Sequence, residues 1–240
     1  MQTLTKTTHV TAHRGSSKSA PENTLSSIDL AIREQADYAE VDVQQTKDGS
    51  LVLLHDGNLK RVAGLDKPIW ELSDQEVRKL DVGRWFSPTF AGEKIPFLEE
   101  VIEAVKGKIK LNIELKYYGG EQNLAARLVE LIREQNFANQ CVITSFNYSI
   151  ISQIKSLDRG LTTGLITAKK VANVSELDVD FYSVHKLIAT TKFIRKAHAH
   201  GKDVHVWTVN RRLNMEILLA RGVDNIITDT PKKLRALLLN

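Results

Sequence analysis

With one cysteine, Cys141, the sequence cannot close an internal disulfide, and nothing in its composition supports oxidising export. Cys141 lies in the apolar run Cys141-Val142-Ile143 and reads as a small buried residue. No apolar run approaches the roughly 18 residues that a membrane-spanning helix needs. The first eight residues have no apolar signal core; they are polar and threonine-rich, like a linker. The formal net charge is +4, yet there is no block of basic residues. Lys169-Lys170, Arg211-Arg212 and Lys232-Lys233 are scattered pairs, read as solvated helix ends, and no nucleic-acid partner is expected. A G-x-G-x-x-G turn after the first apolar run is also missing, which weakens a dinucleotide-binding open sheet.

What the chain does have is alternation. Runs of β type at His9–Ala12, Tyr38–Gln44, Ile109–Leu115, Val142–Ser145, Thr163–Thr167, Phe181–Val184, Val204–Val209 and Asn225–Thr228 are set among helical patterns. Leu124, Leu128, Leu131 and Ile132, for example, fall on one face of a helix. Lys47-Asp48-Gly49 reads as a hairpin turn that returns Leu51–Leu54 antiparallel to the second strand. Asn23 or Thr24 is expected to cap a helix over Leu25–Gln35. Eight strands in repeated βα units within 240 residues predict a (β/α)8 TIM barrel, with an open doubly wound sheet as the competitor. The stretch 57–96 breaks the alternation and is read as a small insertion over the barrel mouth. Three of the chain's 5 prolines, Pro68, Pro88 and Pro96, fall in it. Trp70, Trp85, Phe86 and Phe90 are expected to give it a core of its own.

Chemistry-bearing residues gather at strand ends. In Glu40-Val41-Asp42-Val43 the carboxylates share one face and the valines the other. Asn112, Glu114 and Lys116 alternate in the same way with Leu111, Ile113 and Leu115. Three carboxylates pointing into a barrel need a compensating cation. An all-oxygen set suits one hard divalent ion, Ca²⁺ or Mg²⁺. His13 and His55 could divide acid and base work. Arg14 offers a fork for phosphate oxygens, and Lys116 adds a point charge. Among the other polar residues, Glu22 and Asn23 are expected to fix the first loop, and Asp229 to brace the rim. His185 and His205 read as core or supporting residues, and His198 and His200 as solvated surface.

The order H-R-G, P-E-N-T, E-x-D, K-D-G, H-D and N-I-E-L-K resembles the glycerophosphodiester phosphodiesterase family. So do Thr144-Ser145-Phe146, Val206-Trp207-Thr208-Val209-Asn210, Gly222-Val223-Asp224 and Ile227-Thr228-Asp229. The resemblance covers most of the chain. It implies a TIM barrel with an insertion after the second strand and a divalent ion held by Glu40, Asp42 and Glu114. It implies His13 and His55 as general acid and base, and Arg14 and Lys116 on phosphate. Phe146 and Trp207 would lie against the glycerol or its neighbour. The implied reaction releases sn-glycerol 3-phosphate and an alcohol from glycerophosphodiesters, through attack by the glycerol 2-hydroxyl and a cyclic phosphate. Two alternatives stay open: lysophospholipase D action on lysophospholipids, and a non-catalytic phosphate-ester binding module. The chain also resembles family domains attached to bacterial multi-pass membrane proteins. The expected location is therefore cytoplasmic, or at a membrane through a longer parent chain.

Overall fold

The computed structural model describes residues 8–171 and 173–239. The Thr-rich start read as a linker lies mostly outside them. Nine strands follow in chain order: β1 (His9–His13), β2 (Tyr38–Gln45), β3 (Leu51–Leu53), β4 (Lys110–Leu115), β5 (Cys141–Ser145), β6 (Thr163–Thr167), β7 (Phe181–His185), β8 (Asp203–Trp207) and β9 (Asn225–Thr228). All except β3 pair in parallel with their neighbours, and β1 pairs with both β9 and β2, so the sheet closes into an eight-stranded barrel. This is the expected TIM barrel. The competing open sheet fails because it would leave β1 and β2 without this seam.

Helices α1 (Leu25–Arg33), α4 (Leu98–Val105), α5 (Leu124–Glu134), α6 (Tyr148–Leu157), α7 (Thr191–His198), α8 (Arg212–Arg221) and α9 (Pro231–Leu238) cover the outside. Two shorter helices, α2 (Lys60–Ala63) and α3 (Asp74–Val77), belong to the insertion. Local chemistry sets the helix ends. Thr24 caps α1 by accepting from Ser27 N, Gly222 ends α8 in the left-handed conformation, and Pro231 opens α9. Between β6 and β7 no helix forms among the described residues.

The outward-facing apolar residues make two arcs of core. One packs Val41, Val43, Leu111, Ile113 and Ile143 beneath α1, α4 and α5; the other packs Tyr182, Val184, Val204, Val206 and Ile226 beneath α7 and α8. Inside the barrel the lower layers are compact. A Cβ on Gly164 would come 2.2 Å from the Phe181 ring, so glycine is what lets that ring stack on His205 at 4.0 Å.

The insertion has its own core, and here the expectation needs correcting. That core is aliphatic: Leu59, Val62, Ile69, Leu72, Val77, Val82 and Ile95. Trp70 packs against its edge, Trp85 is exposed, and Phe86 and Phe90 lie half-exposed, edge-to-face with each other at 5.6 Å. Short aliphatic side chains fill the narrow space under the loop, and the larger rings are left at its margin. Asp74 seats the insertion on the β2–β3 hairpin by accepting from Thr46 and Ser50, both at 2.6 Å.

Candidate active site

The barrel register gathers the predicted residues at its C-terminal rim. Cα pairing sets His13 beside Glu40, Glu40 beside Asn112, and Asp42 beside Glu114. The β2–β3 hairpin rises above this rim, and β3 carries the chain back down until Leu54 N donates to Asp42 O at 2.9 Å. That return puts His55 at the level of the carboxylates. His13, Arg14, Glu40, His55, Glu114, Lys116, Phe146 and Trp207 all line one cavity of about 130 Å³. Asp42 lies behind it, fully buried.

The loop after β1 is held in an unusual conformation. Arg14 has φ 55° and Asn23 φ 56°, left-handed values that a non-glycine residue adopts at a cost. Three bonds hold them there. Arg14 N donates to Glu40 Oε2 at 2.8 Å, and Asn23 exchanges side-chain and main-chain bonds with Asp42 at 2.9 and 3.1 Å. Gly15, at φ 77°, lets this loop press on α1; a Cβ there would sit 2.4 Å from Ser27 Oγ.

Glu40, Asp42 and Glu114 each bring a carboxylate oxygen within 4.8 Å of the others'. Two cations partly balance them: Arg14 Nε lies 3.2 Å from Asp42, and Lys116 Nζ lies 2.8 Å from Glu114 and 3.4 Å from Asp42. The rest of the charge shows in the titration. Burial and the neighbouring Asp42 and Glu114 push Glu40 well above the usual carboxylate range. Burial and Asp42 push Glu114 up to about 7. Burial would raise Asp42 too, but Lys116, Arg14 and His55 outweigh it and hold that residue low. Glu40 Oε1 is buried without a hydrogen-bond partner. An orphaned buried carboxylate oxygen, a surplus of negative charge and an all-oxygen donor set together fit a hard divalent cation.

Each histidine is aimed by a carboxylate. His13 Nδ1 lies 2.7 Å from Asp229 Oδ1, and His55 Nδ1 lies 2.7 Å from Asp56 Oδ1. With Nδ1 engaged, Nε2 is the nitrogen free to exchange a proton. Burial, above all, holds the His55 imidazole below its ordinary pKa. The main chain around His55 is fixed at three successive carbonyls. Gln44 Nε2 donates to Leu54 O at 2.7 Å and to Asp56 O at 2.8 Å, and Tyr118 Oη donates to His55 O at 2.6 Å.

The sequence profile of the glycerophosphoryl diester phosphodiesterase family matches residues 13–233. The chain belongs to that family. A glycerophosphodiester phosphodiesterase of Caldanaerobacter subterraneus is 36% identical over 237 residues, 95% of this chain and 96% of its own length. One from Bacillus subtilis is 31% identical, covering 92% of this chain and 83% of its own. Among solved structures, an Oleispira antarctica phosphodiesterase in complex with the product sn-glycerol-3-phosphate superposes with a TM-score of 0.92. It is 30% identical, and the match covers 97% of each chain. Membership makes the chain an enzyme, a phosphodiesterase acting on glycerophosphodiesters, and sets aside the non-catalytic alternative.

As a member of the glycerophosphodiester phosphodiesterase family, the chain also shows supporting residues that sequence reasoning passed over. Asp229, expected to brace the rim, follows β9 directly and meets His13. Asp56 was passed over, although its place beside His55 could have flagged it. Gln44, Tyr118 and Arg61 carry no such signal. Glu22 does more than fix its loop: it accepts from Arg14 at 3.0 Å and from both terminal nitrogens of Arg61. His198 is exposed as expected, and its Nε2 also meets the buried Asp224 at 2.7 Å. His205 is buried as expected. His185 instead meets the Trp207 ring edge-on at 5.5 Å, and Trp207 meets Phe146 likewise at 5.6 Å. None of the described helices is long and apolar enough to cross a membrane.

Proposed function

We propose that the enzyme hydrolyses glycerophosphodiesters to sn-glycerol 3-phosphate and an alcohol in a metal-dependent reaction, with His13 and His55 as its acid and base. The observation that carries this reading is the pairing of two carboxylate-aimed imidazoles with three clustered carboxylates in one cavity. Glu40, Asp42 and Glu114 would hold one Ca²⁺ or Mg²⁺ ion, which when bound supplies positive charge against the phosphoryl oxygens. Arg14 and Lys116 add charge that turns from the carboxylates toward phosphate. One imidazole takes the proton of the attacking glycerol 2-hydroxyl, and the other gives a proton to the departing alkoxide. A cyclic phosphate results, and water then opens it. The product in the Oleispira antarctica relative supports the glycerol phosphate half of this assignment. Phe146 and Trp207 would face the glycerol or the group beyond it. The protein would work in the cytoplasm, or at a membrane through a longer parent chain.

The test is release of glycerol 3-phosphate from glycerophosphocholine by metal-stripped protein, with and without added Mg²⁺ or Ca²⁺, and with His13→Ala alongside. Activity restored by metal and lost in His13→Ala is the expected result. No turnover by a folded, metal-loaded protein would overturn the reading.

One feature favours a second substrate, a lysophospholipid. Phe146 and Trp207 line the cavity as an aromatic wall, His185 extends it edge-on to Trp207, and Leu187, 79% exposed, stands two residues beyond His185. Such a wall suits an acyl chain. Comparing turnover of lysophosphatidylcholine and glycerophosphocholine decides between them.

A further inference from the structure

Arg61 on α2 carries the insertion's hydrogen bonds to the carboxylates around the site. Its Nε donates to Asp56 Oδ2 at 2.7 Å. Its two terminal nitrogens donate to Glu22 Oε2 and Oε1 at 2.9 and 2.7 Å. The far oxygen of Asp56 meets His55 Nδ1 at 2.7 Å, and Glu22 Oε1 also accepts from Arg14 at 3.0 Å. The result is an unbroken chain of bonds: His55, Asp56, Arg61, Glu22, Arg14. Arg61 is not among the cavity-lining residues, and the Trp85 ring lies 5.1 Å from its guanidinium carbon.

We propose that Arg61 is a positioning residue that sets His55 and Arg14 together, and so makes the geometry of the site depend on the docked insertion. The proposal rests on the acid/base reading of His55 and the phosphate reading of Arg14. A planar guanidinium is required because three donors must point to two carboxylates at fixed angles; an ammonium can satisfy one side well but not both. Without Arg61, Asp56 loses the partner that fixes its rotamer, and His55 loses its fixed ring. Glu22 keeps only Arg14, and draws that guanidinium away from the phosphate position. One lost side chain therefore weakens both the proton-transfer group and the anion-binding group. The first effect falls on kcat and the second on KM.

The test uses the metal-loaded enzyme with glycerophosphocholine, comparing Arg61→Met, Arg61→Lys, Asp56→Asn, the Arg61→Met/Asp56→Asn double variant and His55→Ala. Arg61→Met should lower kcat about 10- to 100-fold, the usual range for groups acting through a neighbour, and raise KM. Arg61→Lys should recover part of kcat. The double variant should have the kcat of Asp56→Asn alone, because Arg61 acts on His55 through Asp56. A stapling role confined to the fold predicts multiplied losses and a falling melting temperature instead. Multiplied losses, or an unchanged kcat in folded Arg61→Met, would overturn the proposal. Should Arg61→Met not fold, Arg61→Lys decides it: full activity in that variant is equally fatal. Full activity of His55→Ala overturns it at the reading of His55, whatever Arg61 does.

Discussion

The two sides of the barrel mouth are built on different principles. Around His55 and Arg14 the polar side chains are bonded at several points, and three successive carbonyls are clamped. Across the cavity the wall is aromatic: Phe146, 53% exposed, meets Trp207 edge to face, and Trp207 is held by one hydrogen bond, from its Nε1 to Ser183 O at 3.0 Å. Directional bonds fix a side chain to within tenths of an ångström; ring edges allow sliding. The lesson is a division of labour. In the proposed reaction, groups that meet a reacting atom would sit where geometry is over-determined, and groups that meet a variable part of the substrate where it is looser.

Substitutions on the two sides should therefore fail differently. The largest effect belongs to the imidazoles: His13→Ala or His55→Ala should cut kcat about 10²- to 10⁴-fold with little change in substrate affinity. Equal losses on replacing Trp207 would erase the contrast. Next comes Asp229→Asn, expected to lower kcat roughly 10- to 100-fold by releasing the His13 ring while metal binding holds. A loss of metal binding in Asp229→Asn, read by calorimetry, would mean it serves another purpose.

The bonded side should also betray itself in stability. Glu114 titrates at about 7 in the metal-free fold, against an ordinary value of 4.5. Between those values the native state keeps a proton that the unfolded chain has lost, so its contribution is complete below 4.5 and disappears as pH rises through 7. Urea melts of metal-free protein at pH 5 and pH 8 should differ by on the order of 1–3 kcal/mol in favour of pH 5. Divalent metal or Glu114→Gln should shrink that difference, and an undiminished gap in Glu114→Gln would place its origin elsewhere. The smallest effect belongs to the loose side. Phe146→Ala should shift the preference between glycerophosphocholine and lysophosphatidylcholine about 10-fold, through KM. No shift would mean the wall touches neither substrate.

The barrel was legible because alternation is a local property: Val41 and Val43 face the helices for the same reason that Glu40 and Asp42 face inward. The carboxylate cluster was legible for that reason as well. The Arg61 relay was not, since its members come from two loops and helix α2 and meet only after the insertion docks. Nor was the outer wall, whose residues end three separate strands. The insertion's core was misjudged by reading aromatic content as interior. At a barrel mouth, large rings also belong at the margin.

Asp229 partners His13 across 216 residues of sequence, from the last strand to the first. During synthesis the three carboxylates and both imidazoles leave the ribosome well before the residue that aims His13. A nascent or C-terminally clipped chain would hold every reacting group and still lack a fixed His13. If His13 works as proposed, the seam between β9 and β1 would act as a completion check, the site being finished only when the circle closes.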